Sequence, residues 1–293
     1  MRKLALWMCL VTAAACTKNE SRLDQVAGSS PGMAATMAVP RPGAGTTEDR
    51  LARVERKVDK VIAALEQALG PAQPDPNTVF SVPISPSDPV EGPADAKVTI
   101  VEAFEFLCPY CYVVNPMIDQ MLAKYPKDVR VVGKYMVIHG QPAIAAANVA
   151  CAANKQGKYA AVKGALWNAL FKLDNGQPRV QSEMANLDAM KKLALDAGVD
   201  AARFEADLAD PSCQDWLRTS RQTLSPLGVN GTPAFFINGK FSHAMAPEAF
   251  EAAIKGAIAT ADKAIADGVP QAELYQREVV AKGAKRAKGR FED

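Results

Sequence analysis

The architecture of this chain turns on one run, Val101-Glu102-Ala103-Phe104-Glu105-Phe106-Leu107-Cys108-Pro109-Tyr110-Cys111. Its first half is apolar and continues back through Val98-Thr99-Ile100, so Val98–Phe104 reads as a buried central strand. After Cys108 the pattern changes. Pro109 suits a first helical turn, where its missing N–H costs nothing. Val113, Val114, Met117, Ile118, Met121 and Leu122 extend that helix to Lys124, with Pro116 expected to kink it. Val129–Ile138 reads as a second strand. Strand, helix, strand in this order implies parallel strands and a right-handed crossover.

Cys108 and Cys111 therefore stand where a strand meets a helix. A helix start carries partial positive charge and unpaired N–H groups, which lower a thiol pKa and populate the nucleophilic thiolate. Cys111 lies one turn on, within reach for a disulfide. Cys108 is the expected attacking sulfur and Cys111 the sulfur that resolves a mixed disulfide. Read in reverse, the oxidised pair donates a disulfide.

Farther along, 142–227 is Ala-rich and reads as a helical insert, broken at Asp174-Asn175-Gly176 and at Gly198. Ala234–Ile237 and Lys240–Ser242 flank Asn238-Gly239, a strong hairpin signal. Pro247–Ala266 reads as a closing helix, and 267–293 as a further helix fraying into a solvated basic tail. The main domain is expected over 90–266.

Toward the N-terminus, Arg2 and Lys3 precede an apolar run, Leu4–Ala15, of the length of a signal peptide's core and too short to span a bilayer. Ala13-Ala14-Ala15-Cys16 permits cleavage after residue 15 and resembles a bacterial lipobox, with Ala13 where Leu is commonest. Residues 1–15 are thus read as a signal peptide and Cys16 as a lipidation site anchoring the chain to a membrane. Residues 16–47 read as a disordered tether. Over 48–69, Leu51, Val54, Val58, Val61 and Leu65 recur at steps of three and four. This seam fits either an amphipathic helix docked on its own domain or a helix for homo-oligomer formation. Residues 70–89 are proline-rich and read as a semi-rigid linker, with a possible edge strand at Val79–Ile84.

The 293 residues are 48% hydrophobic and 23% charged, with a net charge of +2, so no strong field favours nucleic acid. Of six cysteines, Cys9 falls in the signal and Cys16 at its end, leaving Cys108, Cys111, Cys151 and Cys213. Four cysteines allow three pairings, and spacing singles out Cys108 with Cys111. A C-x-x-C is also half of many zinc sites. Here no second one exists, and His139 and His243 are the only histidines. No metal or cofactor is expected, although a membrane-anchored metal-binding or delivery module using the two thiolates is an alternative, and a scaffold with a vestigial motif another.

Val101–Cys111 resembles the active-site region of the DsbA-like branch of the thioredoxin superfamily. Gly231-Thr232-Pro233-Ala234-Phe235-Phe236-Ile237-Asn238-Gly239 resembles that family's cis-proline loop and following strand. The resemblance covers roughly Val79 to Ala266 and implies an α/β thioredoxin-like fold with an inserted helical domain. It implies a cis bond at Thr232-Pro233 facing the cysteines, a redox-tuning Thr232, and a buried Glu102 that helps proton transfer from Cys111. Pro109 and Tyr110 belong to the same redox-tuning set. Glu105 is expected to be exposed. It also implies a structural Cys151–Cys213 disulfide, worth about 4 kcal/mol in the chain-entropy picture. The implied activity is protein-disulfide oxidoreduction on cysteine-containing exported proteins, in the periplasm or at the envelope, with a membrane redox partner recycling the dithiol. Oxidase, isomerase and reductase directions all remain open; the seam at 48–69 fits the oligomeric design of isomerases.

Overall fold

The computed structural model describes residues 46–69, 73–242 and 246–289. The signal peptide, Cys16, His243 and the last four residues lie outside the described residues, as does nearly all of the expected tether. Helix α1 spans Thr47–Leu69. Thr46 and Asp49 cap it reciprocally: the Asp49 N–H donates to Thr46 Oγ1 at 3.2 Å and the Thr46 N–H to Asp49 Oδ2 at 2.8 Å. The chain divides into two compact units within this helix, after Arg56, and the second unit carries the sheet and the Cys108–Cys111 pair.

The centre of that unit is a five-stranded sheet in the order β1-β3-β2-β6-β7. The strands are β1 (Val90–Glu91), β2 (Val98–Phe104), β3 (Val129–Tyr135), β6 (Ala234–Ile237) and β7 (Lys240–Ser242). β2 pairs with β3 in parallel and with β6 antiparallel. Side chains of β2 alternate as the pleat requires: Val101 and Ala103 enter one core, Val98 and Ile100 the other. Helices α2 (Pro109–Lys124) and α8 (Pro247–Ala266) supply the second core with Met117, Ile118, Met121, Phe250 and Ile254. α2 runs through Pro116 as one continuous helix.

Between β3 and β6 lies the insert, built on α3 (Gln141–Lys155), α4 (Tyr159–Leu170), α5 (Leu187–Asp196), α6 (Ala201–Leu208) and α7 (Pro211–Leu224). It is not wholly helical as expected. Phe171–Asp174 (β4) and Gln177–Val180 (β5) form a two-stranded hairpin around Asn175 and Gly176, both with positive φ. The Asp-Asn-Gly signal thus closes a hairpin rather than merely separating helices. Trp216, fully buried, donates Nε1–H to the Gly133 carbonyl at 3.1 Å and ties α7 to β3.

Three expected boundaries need correction. The second strand ends at Tyr135, not Ile138, because the chain turns into the insert there. Residues 73–89 are more than the semi-rigid linker expected: Phe80 and Val82 are buried in the core, and Asp88 pairs with Lys134 at 2.7 Å, both side chains sealed from solvent. The apolar residues between the prolines give that stretch a face to bury. The described residues after 267 likewise pack through their apolar side chains, while Lys282, Lys285, Arg286 and Lys288 are exposed. A π-helical turn, Tyr275–Val280, buries Tyr275 and Val279, and Ala284 bridges Phe80. The packed domain therefore extends beyond 90–266 on both sides.

Candidate active site

Cys108 is the residue immediately before α2, in extended conformation, and Pro109 opens the helix. Both cysteines are free thiols, and both belong to the insert's core with Phe104, Phe106, Tyr135 and Trp167. Cys108 keeps only 3% of its surface exposed and Cys111 none, whereas neighbouring Tyr110 is 73% exposed. Across from Cys108 runs the loop before β6. Its Thr232–Pro233 bond is cis, and the Thr232 carbonyl accepts the Cys108 thiol at 3.4 Å. Strand pairing builds this approach: β2 and β6 are neighbours, with Ala103 opposite Ala234, so the residues just beyond both strands meet.

The two thiols are electrostatically unlike. A hydrogen bond from Cys111 holds the Cys108 pKa down to about 6, outweighing the opposing effect of burial; the Thr232 side chain and the N–H groups of the helix start add to the lowering. Cys111 goes the other way. Burial first, then its bond to Cys108 and the charges on Cys108 and Glu102, push its pKa far up.

Glu102 on β2 is partly buried. Loss of hydration raises its carboxyl pKa to about 7, against the pull of the Lys163 ammonium; the charges of Glu91, Asp119 and Cys108 raise it further. Lys163, from α4, contacts Glu91 of β1 at 2.6 Å and Asp119 of α2 at 3.1 Å. This four-residue cluster was not legible in the sequence. A single lysine in the small and apolar surroundings of Tyr159–Leu170 was its only signal.

Glu105 is fully buried, not exposed. Its carboxylate accepts the backbone N–H of Ile138 and of His139, and it contacts the His139 ring. Its own carbonyl accepts the Cys108 N–H at 3.2 Å. Tyr135 completes this frame, its hydroxyl accepting the Phe106 N–H at 3.0 Å and donating to the Ala143 carbonyl at 2.8 Å. The loop before Cys108 is thus fixed from two sides, and a buried acid at position 105 is satisfied by donors from a segment thirty-odd residues away.

Cys151 on α3 and Cys213 on α7 form a disulfide, remote in sequence by 62 residues. Among the described residues no group of three or more His, Cys, Asp or Glu side chains is arranged to hold a metal ion. No helix among them is long and apolar enough to cross a membrane.

Residues 99–255 match the DsbA-like thioredoxin domain family. The chain is similar, at 26% identity, to the thiol:disulfide interchange protein DsbA of Pseudomonas aeruginosa over 58% of its own length and 77% of that protein's. It is 29% identical to the Na(+)/H(+) antiporter NhaA of Herminiimonas arsenicoxydans over 67% of its length, and there the match spans only 31% of the antiporter. Among solved structures, a thioredoxin-like oxidoreductase from Silicibacter pomeroyi DSS-3 aligns with a TM-score of 0.51 at 28% identity, covering 59% of this chain and 93% of that one.

Proposed function

The chain belongs to the DsbA-like thioredoxin domain family, its match covering residues 99–255, and from that premise we propose that it exchanges disulfides with cysteine-containing proteins through Cys108 and Cys111. The observation that carries this reading is the split between a stabilised Cys108 thiolate and a strongly protonated Cys111 at one helix start.

The split favours one direction. Stabilising the Cys108 thiolate stabilises the reduced pair, which makes the disulfide form the better oxidant. A substrate thiolate attacks Cys108 Sγ and the Cys108–Cys111 bond breaks, releasing Cys111. Cys111 needs a proton as it leaves, and Glu102, with a carboxyl pKa of about 7, supplies it. A second substrate thiolate then attacks the substrate sulfur, and Cys108 departs as a low-pKa thiolate. The substrate gains a disulfide and the protein keeps two electrons as a dithiol. We assign to it a potential between about −270 mV and about −120 mV, the span from a reductant to a strong oxidant. Reoxidation falls to a membrane redox partner, and the protein works outside the cytoplasm, held by a lipid on Cys16.

The direct test is trapping. Cys111→Ser, incubated with a reduced secreted protein in the presence of a mild oxidant, is expected to accumulate a mixed disulfide at Cys108, seen by non-reducing electrophoresis and peptide mass. Cys108→Ser should accumulate none. Equal trapping by the two variants, or none by either, overturns the reading.

A further inference from the structure

Disulfide exchange, as described so far, leaves one buried acid beside the cysteines without a task. Burying a carboxylate costs free energy unless donors replace its water. For Glu105 those donors come from one short turn between β3 and α3. Its Oε2 accepts the Ile138 N–H and, at 3.1 Å, the His139 N–H, while its Oε1 meets Nδ1 of the His139 ring. The turn itself is tied to the sheet, because the Met136 N–H donates to the Phe104 carbonyl at 3.0 Å.

The backbone of the same residue touches both cysteines. Its carbonyl accepts the Cys108 N–H at 3.2 Å. On its other side it hydrogen-bonds Cys111. Burial is the largest influence on the Cys111 thiol and raises its proton affinity; the Glu105 bond opposes that rise, as a donated N–H does. Each of the two peptides at Glu105 is therefore held at both ends. The Phe104–Glu105 peptide takes the Met136 N–H and gives its own N–H to Cys111. The Glu105–Phe106 peptide takes the Cys108 N–H and gives its own to the Tyr135 hydroxyl at 3.0 Å.

We infer that Glu105 is a positioning residue for the leaving sulfur: its buried carboxylate, clamped by residues 138 and 139, keeps its own N–H aimed at Cys111 Sγ. This rests on the disulfide-exchange reading. When a substrate thiolate attacks Cys108 Sγ, the Cys108–Cys111 bond breaks and its electron pair goes to Cys111 as a thiolate. Negative charge then stands on a fully buried sulfur. A fixed N–H strengthens as that charge develops and needs no reorganisation to do so. The proton from Glu102 neutralises the thiolate afterwards. The bond matters most while Cys111 carries charge, so it speeds disulfide donation more than it moves the overall equilibrium.

The test follows the oxidised full chain as a reduced two-cysteine peptide takes its disulfide, by stopped-flow, and separately its equilibrium with glutathione. In Glu105→Ala the donation rate is expected to fall about tenfold and the equilibrium constant to change by less than about threefold. Glu105→Gln keeps the clamp: its amide oxygen in place of Oε2 accepts both N–H groups, and its NH2 in place of Oε1 donates to Nδ1 of the other His139 tautomer, so its rate should stay within about twofold of the unsubstituted protein. His139→Ala, at a side chain 46% exposed and so safe for folding, loosens the clamp by one contact and should slow donation about threefold. Unchanged donation in His139→Ala, a rate and an equilibrium that fall together in Glu105→Ala, or a Glu105→Gln as slow as Glu105→Ala each overturns the inference while leaving disulfide exchange intact. An unsubstituted protein that gives the peptide no disulfide would instead sink the underlying reading.

Discussion

Cys108 and Cys111 are chemically identical side chains one helical turn apart, and their environments drive their proton affinities in opposite directions. The consequence is measurable. Cys108 titrates at its ordinary 9.0 when unfolded and at about 6 when folded. Its folded pKa is depressed, so the stabilisation of the reduced protein is complete above pH 9 and is lost as pH falls through 6. Alkylation of the reduced protein by iodoacetamide is therefore expected to rise with a midpoint near pH 6 rather than near 9. A midpoint near 9 would remove the basis for a stabilised thiolate. The adjacent Glu105 also depends on surroundings that its own segment does not supply. Its neighbours in sequence gave no partner, so exposure was the natural expectation. The partners came from Ile138 and His139, which only the turn after β3 brings to it.

At the scale of elements, the insert does two jobs for the site. Helix α4 lends Lys163 to the sheet, where it meets Glu91 and Asp119 and lowers the proton affinity of Glu102. Replacing it by methionine leaves three acids without a cation. Glu102 then stays protonated to higher pH, and the falling limb of disulfide donation should move upward from about 7. A pH–rate profile of Lys163→Met, measured by stopped-flow fluorescence, checks this, and an unmoved limb would detach Glu102 from the step. The Cys151–Cys213 link has a structural part. The double substitution to alanine should lower unfolding free energy by about 2–4 kcal/mol in chemical denaturation. The potential of the Cys108/Cys111 pair should change little, and a large change would give the link a redox role. The sequence located β2, α2, β6, β7 and α8 well because each has a period or a punctuating residue of its own. It missed the β4–β5 hairpin because its strands, four residues each, are too short to establish an alternation against an Ala-rich background.

For the whole molecule, the question is what α1 adds to a domain that already carries its site. Leu51, Val54, Val58, Val61 and Leu65 on that helix are between 42% and 59% exposed. We propose that this apolar seam pairs with another copy of the chain. Deleting 47–69 is expected to lower the solution mass to that of a monomer in analytical ultracentrifugation. Isomerisation of scrambled disulfides should fall at the same time, while simple dithiol oxidation persists. Undiminished isomerisation by the shortened chain ends the oligomer reading.

The sequence by itself determined the local elements and the reactive pair, because hydrophobic period, proline placement and cysteine spacing are properties of neighbouring residues. It also marked Cys151 and Cys213, through resemblance rather than through any rule of spacing. Resemblance also named Thr232 and Glu102 beside the sulfurs; tertiary structure alone brought Lys163 to Glu102 and the donors to Glu105. The Thr232 carbonyl, the Lys163 ammonium and the donors to Glu105 reach the site from segments 124, 44 to 72 and 33 to 34 residues away from the groups they touch. It also decided that Phe80 and Val82 of the proline-rich stretch, and Tyr275, Val279 and Ala287 near the end of the chain, belong to the core. Proton affinity and burial depend on what surrounds an atom, and those surroundings exist only once distant segments have packed.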